Sequence, residues 1–472
     1  MLTYSFDNVD VPLYEYIYKR IREDILNGTI PPGTRLPSKR TFAKNNGIST
    51  ITIQNAYDQL ISEGYITTSP RRGYFVADIK DIPGTPRTGS VNLEIKLPAE
   101  RIFPCEVDLA DNRTAPDNFP FSVWNRIIRE IISTRGRDLM QPSFCAGVRE
   151  LREAIASYLI SFRGMLVDPN QIVVGAGTDY LYGLIIQLLG RERVVCLESP
   201  GYSKPEKVYR ANSVRCCYAG VDENGIDIDD LRRTPADVVH LSPTHHFPSG
   251  VTMPVTRRYQ ILAWANEKDG RYIIEDDYDS EFRINGKPLT PLFGIDAGEK
   301  VIYINTFSKS LASTVRISYM ILPEHLANKF YRMLSFYSCT VSNFEQYTLA
   351  EFIKKGYFEK HINRMRLYYS RKRRDILKCI AESRMSTFCE VVENDSGLHF
   401  LLKIKTDIRD EELTLAMASK GINLRPLSGY YLNGEEKDLH LFIINYSNLD
   451  VNDVKKAMDT IYEYITDFRE II

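Results

Sequence analysis

Lys309 is the residue whose surroundings point most directly to chemistry. It follows an apolar segment, Val301–Ile304, and stands between the hydroxyl groups of Ser308 and Ser310. Arg316 comes seven positions later. A lysine amine forms a Schiff base with an aldehyde when its pKa is depressed, and hydroxyl and guanidinium groups bind phosphate. The pattern therefore predicts a site for an aldehyde cofactor that carries a phosphate group.

Pyridoxal phosphate is such a cofactor, and a protein must also hold its ring nitrogen and its phenolic oxygen. Asp276, just past an apolar segment, is placed to pair with a protonated ring nitrogen, and Tyr278 to hydrogen-bond the phenolic oxygen. Tyr202 can stack on the ring. The candidate phosphate ligands are residues that precede a helix or offer hydroxyl and guanidinium groups, namely Gly177, Thr178, Thr306, Ser308 and Arg316.

Each of these motifs has a plainer interpretation when it is taken alone. A Ser-Lys pair in a loop is usually surface, an Asp-Asp-Tyr run is often a turn, and a Gly-x-Gly before a helix is a weak signal. The combination is more specific, because the groups that one cofactor needs occur at the ends of successive predicted strands. We therefore favour a cofactor site over a set of surface loops.

A mostly parallel sheet would bring these residues together. From about residue 105 onward, short apolar runs alternate with amphipathic helical patterns, which is typical of an α/β fold with strands buried on both faces. Ligands of such sheets bind beyond the carboxyl ends of the strands, where the candidate residues are found. The predicted strands are 171–174, 193–197, 237–241, 271–274 and 301–304.

The first 77 residues predict a different module. Apolar residues recur at helical spacing between positions 13 and 25. Ser38 can cap a short second helix, and Ser49 opens a third helix after a turn at Gly47. Residues 65–76 alternate around a turn with two arginines, as in a two-stranded wing. This order is typical of a winged helix-turn-helix, an α+β module.

The chemistry of this module suits DNA. Between residues 31 and 77, six Lys/Arg residues stand against two acidic ones, so a local positive charge is expected although the whole chain has a net charge of −1. The alternative is a small solvated helical domain with incidental arginines. Hydroxyl groups bind phosphate, and Gln or Arg side chains address base edges. The candidate DNA-binding residues are Arg35, Ser38, Arg40, Ser49, Thr50, Thr52, Gln54, Arg71, Arg72 and Gly73.

Composition limits the class of protein. The 472 residues are 43% hydrophobic and 26% charged, as in globular proteins of more than one domain. Eight cysteines without a Cys-x-x-Cys pair favour reduced, mostly buried thiols over a metal site. Neither a signal peptide nor a membrane span is predicted, so we expect a cytoplasmic protein. Its predicted parts are a DNA-binding domain at 1–77, a Pro- and Gly-rich linker at 78–104 and an effector domain at 105–472.

Both modules resemble known families. The first resembles the winged helix-turn-helix of the GntR family, through Leu36–Arg40, Ile48–Thr50, Glu63–Ile66 and Gly73–Val76. The second resembles a fold-type I aminotransferase, a pyridoxal phosphate-dependent transferase fold, through Glu198–Tyr202, Ile274–Arg283 and Thr306–Leu311. Together they resemble the MocR/GabR subfamily of GntR transcription regulators. The resemblance implies a cofactor aldimine on Lys309, a double-stranded DNA operator and a head-to-tail, domain-swapped homodimer.

Two departures from the aminotransferase pattern concern the cofactor ring and the substrate carboxylate. Phe247 stands where aminotransferases carry an asparagine that contacts the ring oxygen, and His246 is the candidate substitute. The final predicted strand, 439–445, lacks the arginine that commonly holds a substrate carboxylate, so Lys204 and Arg425 are the candidates for binding an effector. At most residual transamination is therefore expected.

Two functions are weighed on this basis. The favoured one is a DNA-binding transcription regulator that binds pyridoxal phosphate and senses either the cofactor itself or an amine or amino acid that reacts with it. The alternative is an active aminotransferase with an accessory DNA-binding domain. The intact set of residues around Lys309 supports the alternative, and the missing carboxylate-binding arginine opposes it.

Overall fold

A computed structural model describes residues 4–5, 11–79, 105–283, 289–392, 397–434 and 438–471. The chain divides into two compact units, Met1–Glu100 and Arg101–Ile472, which are described separately. All but the first two residues of the predicted linker at 78–104 lie outside the described residues.

The smaller unit is a three-helix module with a small antiparallel sheet. Its elements are α1 (Leu13–Leu26), β1 (Arg35–Leu36), α2 (Lys39–Asn46), α3 (Thr50–Ser62), β2 (Ile66–Ser69) and β3 (Gly73–Val76), with sheet order β1-β3-β2. Ser38 caps α2 by accepting the amide of Thr41, and Ser49 caps α3 by accepting the amide of Ile51. The predicted winged helix-turn-helix is confirmed. The third strand, β1, was not predicted because two residues carry no alternation.

The larger unit is built on an eight-stranded sheet in the order β5-β12-β11-β10-β9-β6-β7-β8. Its strands are β5 (Ile172–Gly175), β6 (Val194–Ser199), β7 (Arg215–Asp222), β8 (Gly225–Ile226), β9 (Val238–Leu241), β10 (Tyr272–Asp276), β11 (Val301–Thr306) and β12 (Ser318–Ile321). All five predicted strands are present. The sheet is not wholly parallel, since β12 runs antiparallel to both β11 and β5. A short return from β11 through α12 permits only the antiparallel direction.

Helices cover this sheet and bury its apolar strands. They are α4 (Phe121–Thr134), α5 (Gly136–Leu139), α6 (Arg149–Arg163), α7 (Thr178–Leu189), α8 (Ser203–Ala211), α9 (Ile228–Arg233), α10 (Val255–Asn266), α11 (Leu292–Ile295), α12 (Phe307–Ser310), α13 (Glu324–Leu334) and α14 (Asn343–Lys354). The fold-type I transferase architecture that the sequence predicted is confirmed. None of the helices in the described ranges is long and apolar enough to cross a membrane.

A second layer follows at the C-terminal end. Its sheet has the order β13-β14-β17-β16, and a separate parallel pair joins β15 to β4. The elements are β4 (Val107–Asp108), α15 (Tyr357–Glu382), β13 (Cys389–Val392), β14 (His399–Ile404), α16 (Asp410–Ser419), β15 (Ile422–Asn423), β16 (Arg425–Pro426), β17 (Leu441–Asn445) and α17 (Val451–Ile471). Buried residues such as Phe400, Leu413 and Ile461 join its sheet and helices in one core.

The cysteines are less buried than expected. All eight are free, but only Cys145, Cys196 and Cys389 are buried. The expectation of mostly buried thiols was therefore wrong: four others are partly buried and Cys105 is exposed.

Candidate cofactor site and nucleic-acid interface

A cavity of about 480 Å³ opens where the strands of the larger sheet end. The carboxyl ends of β6, β9, β10 and β11 and the start of α7 all contribute to its wall. Ten residues predicted from the sequence line it: Thr178, Tyr202, Lys204, Asp276, Tyr278, Thr306, Ser308, Lys309, Arg316 and Arg425. The principle that ligands gather beyond parallel strand ends explains why residues so distant in sequence meet here.

Several lining residues were not among the predicted ones. They include Asn112, Arg113, Tyr182, Glu198, His240, Ser242, Phe247, Ser313 and Tyr430. Tyr182 lies one helical turn after Thr178, and His240 is the third residue of β9, so helical and strand spacing were available signals for these two. Asn112 and Arg113 come from a segment without periodicity, which gives no such signal.

Lys309 lies in the short helix α12 directly after β11. Its Nζ donates a hydrogen bond to the backbone carbonyl of Asn112. Burial lowers the pKa of Lys309 from 10.5 to about 8, against the opposing effect of the nearby carboxylates of Asp279 and Asp111. A substantial fraction of this amine is therefore neutral near pH 8, as nucleophilic attack on an aldehyde requires.

Asp276 presents one free oxygen in the buried wall of the cavity. Its Oδ2 accepts a hydrogen bond from the Tyr182 hydroxyl at 2.5 Å and lies 3.5 Å from Nε2 of His240. The opposite nitrogen of His240 is 2.7 Å from the hydroxyl of Tyr209. Within the described residues, the buried Oδ1 has no hydrogen-bond partner. A buried carboxylate oxygen without a donor is costly, and a protonated pyridine nitrogen is a donor that fits it.

The histidine beside Tyr278 is not the predicted one. The Tyr278 hydroxyl is 3.1 Å from Nδ1 of His245, which also lies 2.8 Å from Oδ2 of Asp279. His246 does not line the cavity: its Nδ1 bonds the Ser249 hydroxyl at 2.7 Å. His245 does not line the cavity either, and Nε2 of His246 lies 3.6 Å from Oε2 of the cavity-lining Glu198, so the role predicted for His246 stays a prediction.

The N-terminus of α7 forms the phosphate-binding candidate. Gly177 precedes Thr178 with φ +95°, and a Cβ there would collide with the guanidinium of Arg316. Nη2 of Arg316 lies 2.6 Å from Oδ1 of Asp179. The hydroxyls of Thr306 and Ser308 are 3.1 Å apart, and both residues line the same cavity. Backbone amides at a helix start, hydroxyls and an arginine are the usual components of a phosphate site.

Lys204 and Arg425 differ in their availability to an effector. Nζ of Lys204 lies 3.4 Å from Oδ1 of Asp179, which also pairs with Arg316. Arg425 is exposed at the start of β16, opposite Ile443 of β17, and has no ion-pair partner within the described ranges. Arg425 is therefore the freer cation of the two.

A buried ionic network lies behind the site. Asp277 pairs with Arg163 and accepts a hydrogen bond from the Tyr303 hydroxyl at 2.6 Å. The carboxylate of Glu275 accepts the backbone amides of Leu292 and Phe293 at 2.8 and 2.9 Å. The network fixes the end of β10. It therefore also fixes the orientation of Asp276, the cavity-lining residue between Glu275 and Asp277 in the sequence.

The candidate DNA-binding residues form an exposed face on the smaller unit. Arg35, Arg40, Arg71 and Arg72 are all exposed, and none has an ion-pair partner in the described part of the chain. Ser38, Ser49, Thr50 and Gln54 are also exposed, whereas Thr52 is half-buried. Gly73 approaches Arg35 closely, since a Cβ on it would lie 3.3 Å from Nε of that arginine. Unpaired cations around a capped helix are suited to a phosphate backbone.

The fold and its two sites define a class of protein: a winged-helix DNA-binding module in one chain with an aminotransferase-like module. Family models agree. The model for bacterial regulatory proteins of the gntR family matches residues 13–76, and the model for aminotransferase class I and II matches residues 107–461. The chain belongs to the GntR-family transcription regulators that carry an aminotransferase-like domain, the MocR type.

Relatives match along most of the chain. The uncharacterised HTH-type transcriptional regulator YdeL of Bacillus subtilis is 36% identical over 95% of this chain and 96% of its own. The probable rhizopine catabolism regulatory protein MocR of Rhizobium meliloti is 28% identical over 96% of this chain and 94% of its own. The HTH-type pyridoxine biosynthesis transcriptional regulator PdxR of Corynebacterium glutamicum is 28% identical over 88% of this chain and 87% of its own.

Solved structures match the larger unit. The crystal structure of Pyrococcus horikoshii kynurenine aminotransferase has a TM-score of 0.67 with this chain, covering 76% of it and 91% of the aminotransferase at 24% identity. Likeness at this identity establishes the fold.

Proposed function

We propose that the larger unit binds pyridoxal phosphate on Lys309 and that this chemistry regulates DNA binding by the winged helix. The observation that carries the proposal is the unpartnered, buried Oδ1 of Asp276 in the cavity that Lys309 also lines. When bound, pyridoxal phosphate supplies an aldehyde carbon that reacts reversibly with amines.

Different residues of the cavity are assigned to different parts of this cofactor. Asp276 would accept a hydrogen bond from the protonated ring nitrogen, and Tyr278, whose hydroxyl lies 3.1 Å from Nδ1 of His245, would hydrogen-bond the phenolic oxygen. Tyr202, half exposed and edge-on to Phe247 at 6.0 Å, is available to stack on the ring. The phosphate is assigned to the start of α7 with the hydroxyls and guanidinium of the neighbouring loop.

The effector is assigned to one of two classes. An amino acid would place its carboxylate on Arg425, the unpaired cation at the cavity wall. The second class is the cofactor itself, without a further ligand. The relative named for pyridoxine biosynthesis supports the second class. Titrating pyridoxal phosphate alone, and then amines in its presence, while DNA affinity is measured, separates the two.

A homodimer of the larger unit is part of the proposal. Several of its large apolar side chains are more than half exposed, namely Phe121, Met140, Phe144 and Phe336. Large apolar side chains exposed on a protein surface favour a partner, and a second copy in a head-to-tail, domain-swapped arrangement is the one that the family implies. Sedimentation of the purified chain should give a dimer mass, and a monomer at micromolar concentration would contradict this.

The direct test of cofactor binding is spectroscopic. Wild-type protein mixed with pyridoxal phosphate should develop the visible absorbance of a lysine-bound cofactor that resists dialysis. Lys309→Ala should lose that band, whereas Lys268→Ala should keep it, because Lys268 lies before the opposite, amino end of β10. Wild-type protein without the band would overturn the proposal.

An active aminotransferase with an accessory DNA-binding domain is the second candidate. The buried lysine with a lowered pKa and the intact set of cavity residues favour it. It requires turnover of an amino acid with a keto-acid acceptor by the loaded protein. Sustained turnover that is abolished in Lys309→Ala would favour this candidate over a pure sensor.

A further inference from the structure

The first turn of α3 exposes an aliphatic side chain to solvent. Ile51 is 71% exposed, more than any other large apolar residue in the described part of the smaller unit. The inward face of α3 is made by other residues, namely Ile53, Ala56, Tyr57 and Leu60. Ile51 therefore contributes nothing to the core, and it would gain free energy by covering an apolar group of a ligand.

Ile51 shares its helix face with two amide side chains. Residues three and four positions apart project to the same side of a helix, so Gln54 and Asn55 lie beside Ile51. Both amides are exposed. Across the described residues, neither has a side-chain hydrogen-bond partner. The face thus presents one methyl-rich group and two bidentate hydrogen-bonding groups.

Exposed cations lie on other elements of the same unit. Arg40 and Lys44 lie on α2, and Arg71 and Arg72 lie in the turn between β2 and β3; all four are exposed. Helix α3 itself contains no arginine or lysine. In helix-turn-helix proteins the first residues of the second helix contact base edges in the major groove, while surrounding cations contact phosphates.

The chemistry of the face matches one kind of base pair. Arginine and lysine are the usual readers of guanine, and this helix has neither. Glutamine and asparagine pair with N6 and N7 of adenine, and aliphatic groups contact the C5 methyl of thymine. We propose that α3 reads A·T base pairs, with Ile51 on thymine methyl groups and Gln54 or Asn55 on adenine. This inference rests on the proposed DNA-binding function.

The test begins with the full-length protein and a pool of random-sequence duplexes. Repeated selection should enrich sites with A·T pairs at the positions that α3 covers. The selected duplex is then remade with uracil in place of thymine at these positions, which removes only the methyl groups. Wild-type protein should bind the uracil duplex about 4-fold more weakly for each methyl group that is contacted.

Two variants assign the effect to this face. Ile51→Ala should bind the thymine and uracil duplexes equally, while its salt dependence stays unchanged. In Gln54→Ala, the ratio of affinities for an adenine and a non-adenine base at one position should fall about 10-fold. Leu13→Ala, which trims an aliphatic side chain that is 39% exposed on α1, should keep the wild-type preference for thymine over uracil.

The outcomes distinguish the inference from the function on which it rests. Enrichment of no sequence would overturn the DNA-reading function and the inference together. Enrichment of a G·C site, or a uracil effect that persists in Ile51→Ala, would overturn the inference and leave the function standing. An A·T site whose uracil effect disappears in Ile51→Ala supports both.

Discussion

Asp276 and Asp277 are neighbours with opposite surroundings. Successive residues of a strand end point to opposite sides, so Asp276 lines the cavity while Asp277 pairs with Arg163 behind it. The carboxylate of Asp276 has an unpartnered oxygen, whereas the side chains of Asp277 and Arg163 are each 1% exposed and paired. The first carboxylate is available for a ligand, and the second stabilises the fold.

Asp276→Asn should weaken pyridoxal phosphate binding by about 10- to 100-fold, because a hydrogen bond to a charged group contributes about 1.5–3 kcal/mol. Its melting temperature without cofactor should change little. Asp277→Asn is the matched control, since it breaks a buried ion pair and should cost about 3–5 kcal/mol of unfolding free energy. Spectroscopic titration and thermal melts measure the two effects, and the same stability loss in both variants would contradict the division of roles.

The lowered pKa of Lys309 predicts how cofactor capture depends on pH. The folded-state pKa is about 8, against an ordinary value of 10.5, so the neutral amine becomes the major form above about pH 8. The capture rate should therefore rise about tenfold per pH unit below pH 8 and level off above it. Stopped-flow absorbance follows the reaction. The same measurement with Nα-acetyl-lysine shows how much of the pH dependence comes from protonation of the cofactor itself. A rate that still rises steeply through pH 10 would contradict the lowered pKa.

At the scale of elements, the junction of β5 and α7 holds the phosphate candidate. Gly177→Ala should reduce cofactor affinity by at least about 10-fold, because a side chain there is strained at φ +95° and displaces Arg316. Gly183→Ala on the same helix meets no atom within 4 Å and should stabilise α7 by up to about 1 kcal/mol without altering cofactor affinity. Equal cofactor affinity in the two variants would remove the phosphate role from this junction.

The elements that the sequence predicted are those with a repeating signal. The five predicted strands are continuous apolar runs buried on both faces, and the wing is marked by its Pro-Arg-Arg-Gly turn. Strand β7 was missed because Arg215–Asp222 mixes half-buried and exposed residues near the sheet edge. Strand β12 was missed because Ser318–Ile321 contains one β-branched residue and so lacks the β-branched run that marked the predicted strands.

The cavity was predictable where residues follow strands and unpredictable elsewhere. Asp276 and Lys309 come directly at or after strand ends, which is where ligands bind. His245 and His246 are adjacent in a turn, and their spacing does not determine which ring reaches Tyr278. Asn112 reaches the site through tertiary packing alone, and its side chain is held by that of Asn445 at 2.9 Å.

At the scale of the molecule, a net charge of −1 leaves DNA attraction to the local cations of the winged helix. Arg40→Ala should weaken DNA binding for all sequences and reduce the slope of log affinity against log salt by about 1. Arg20→Ala is the control, because Arg20 lies on α1 and pairs with Glu23 at 3.7 Å. Binding isotherms at several salt concentrations measure both. An unchanged slope in Arg40→Ala would remove that residue from the phosphate contacts.

The coupling of the two units is tested most directly by the DNA affinity of the full-length protein during a titration with pyridoxal phosphate. On a duplex selected by the protein itself, wild-type affinity should change at least about 5-fold as the visible band saturates, which is the lower end of ordinary coupling between sites. Lys309→Ala should show no change. A wild-type site that fills completely while DNA affinity stays constant would contradict the proposal that this cofactor regulates DNA binding.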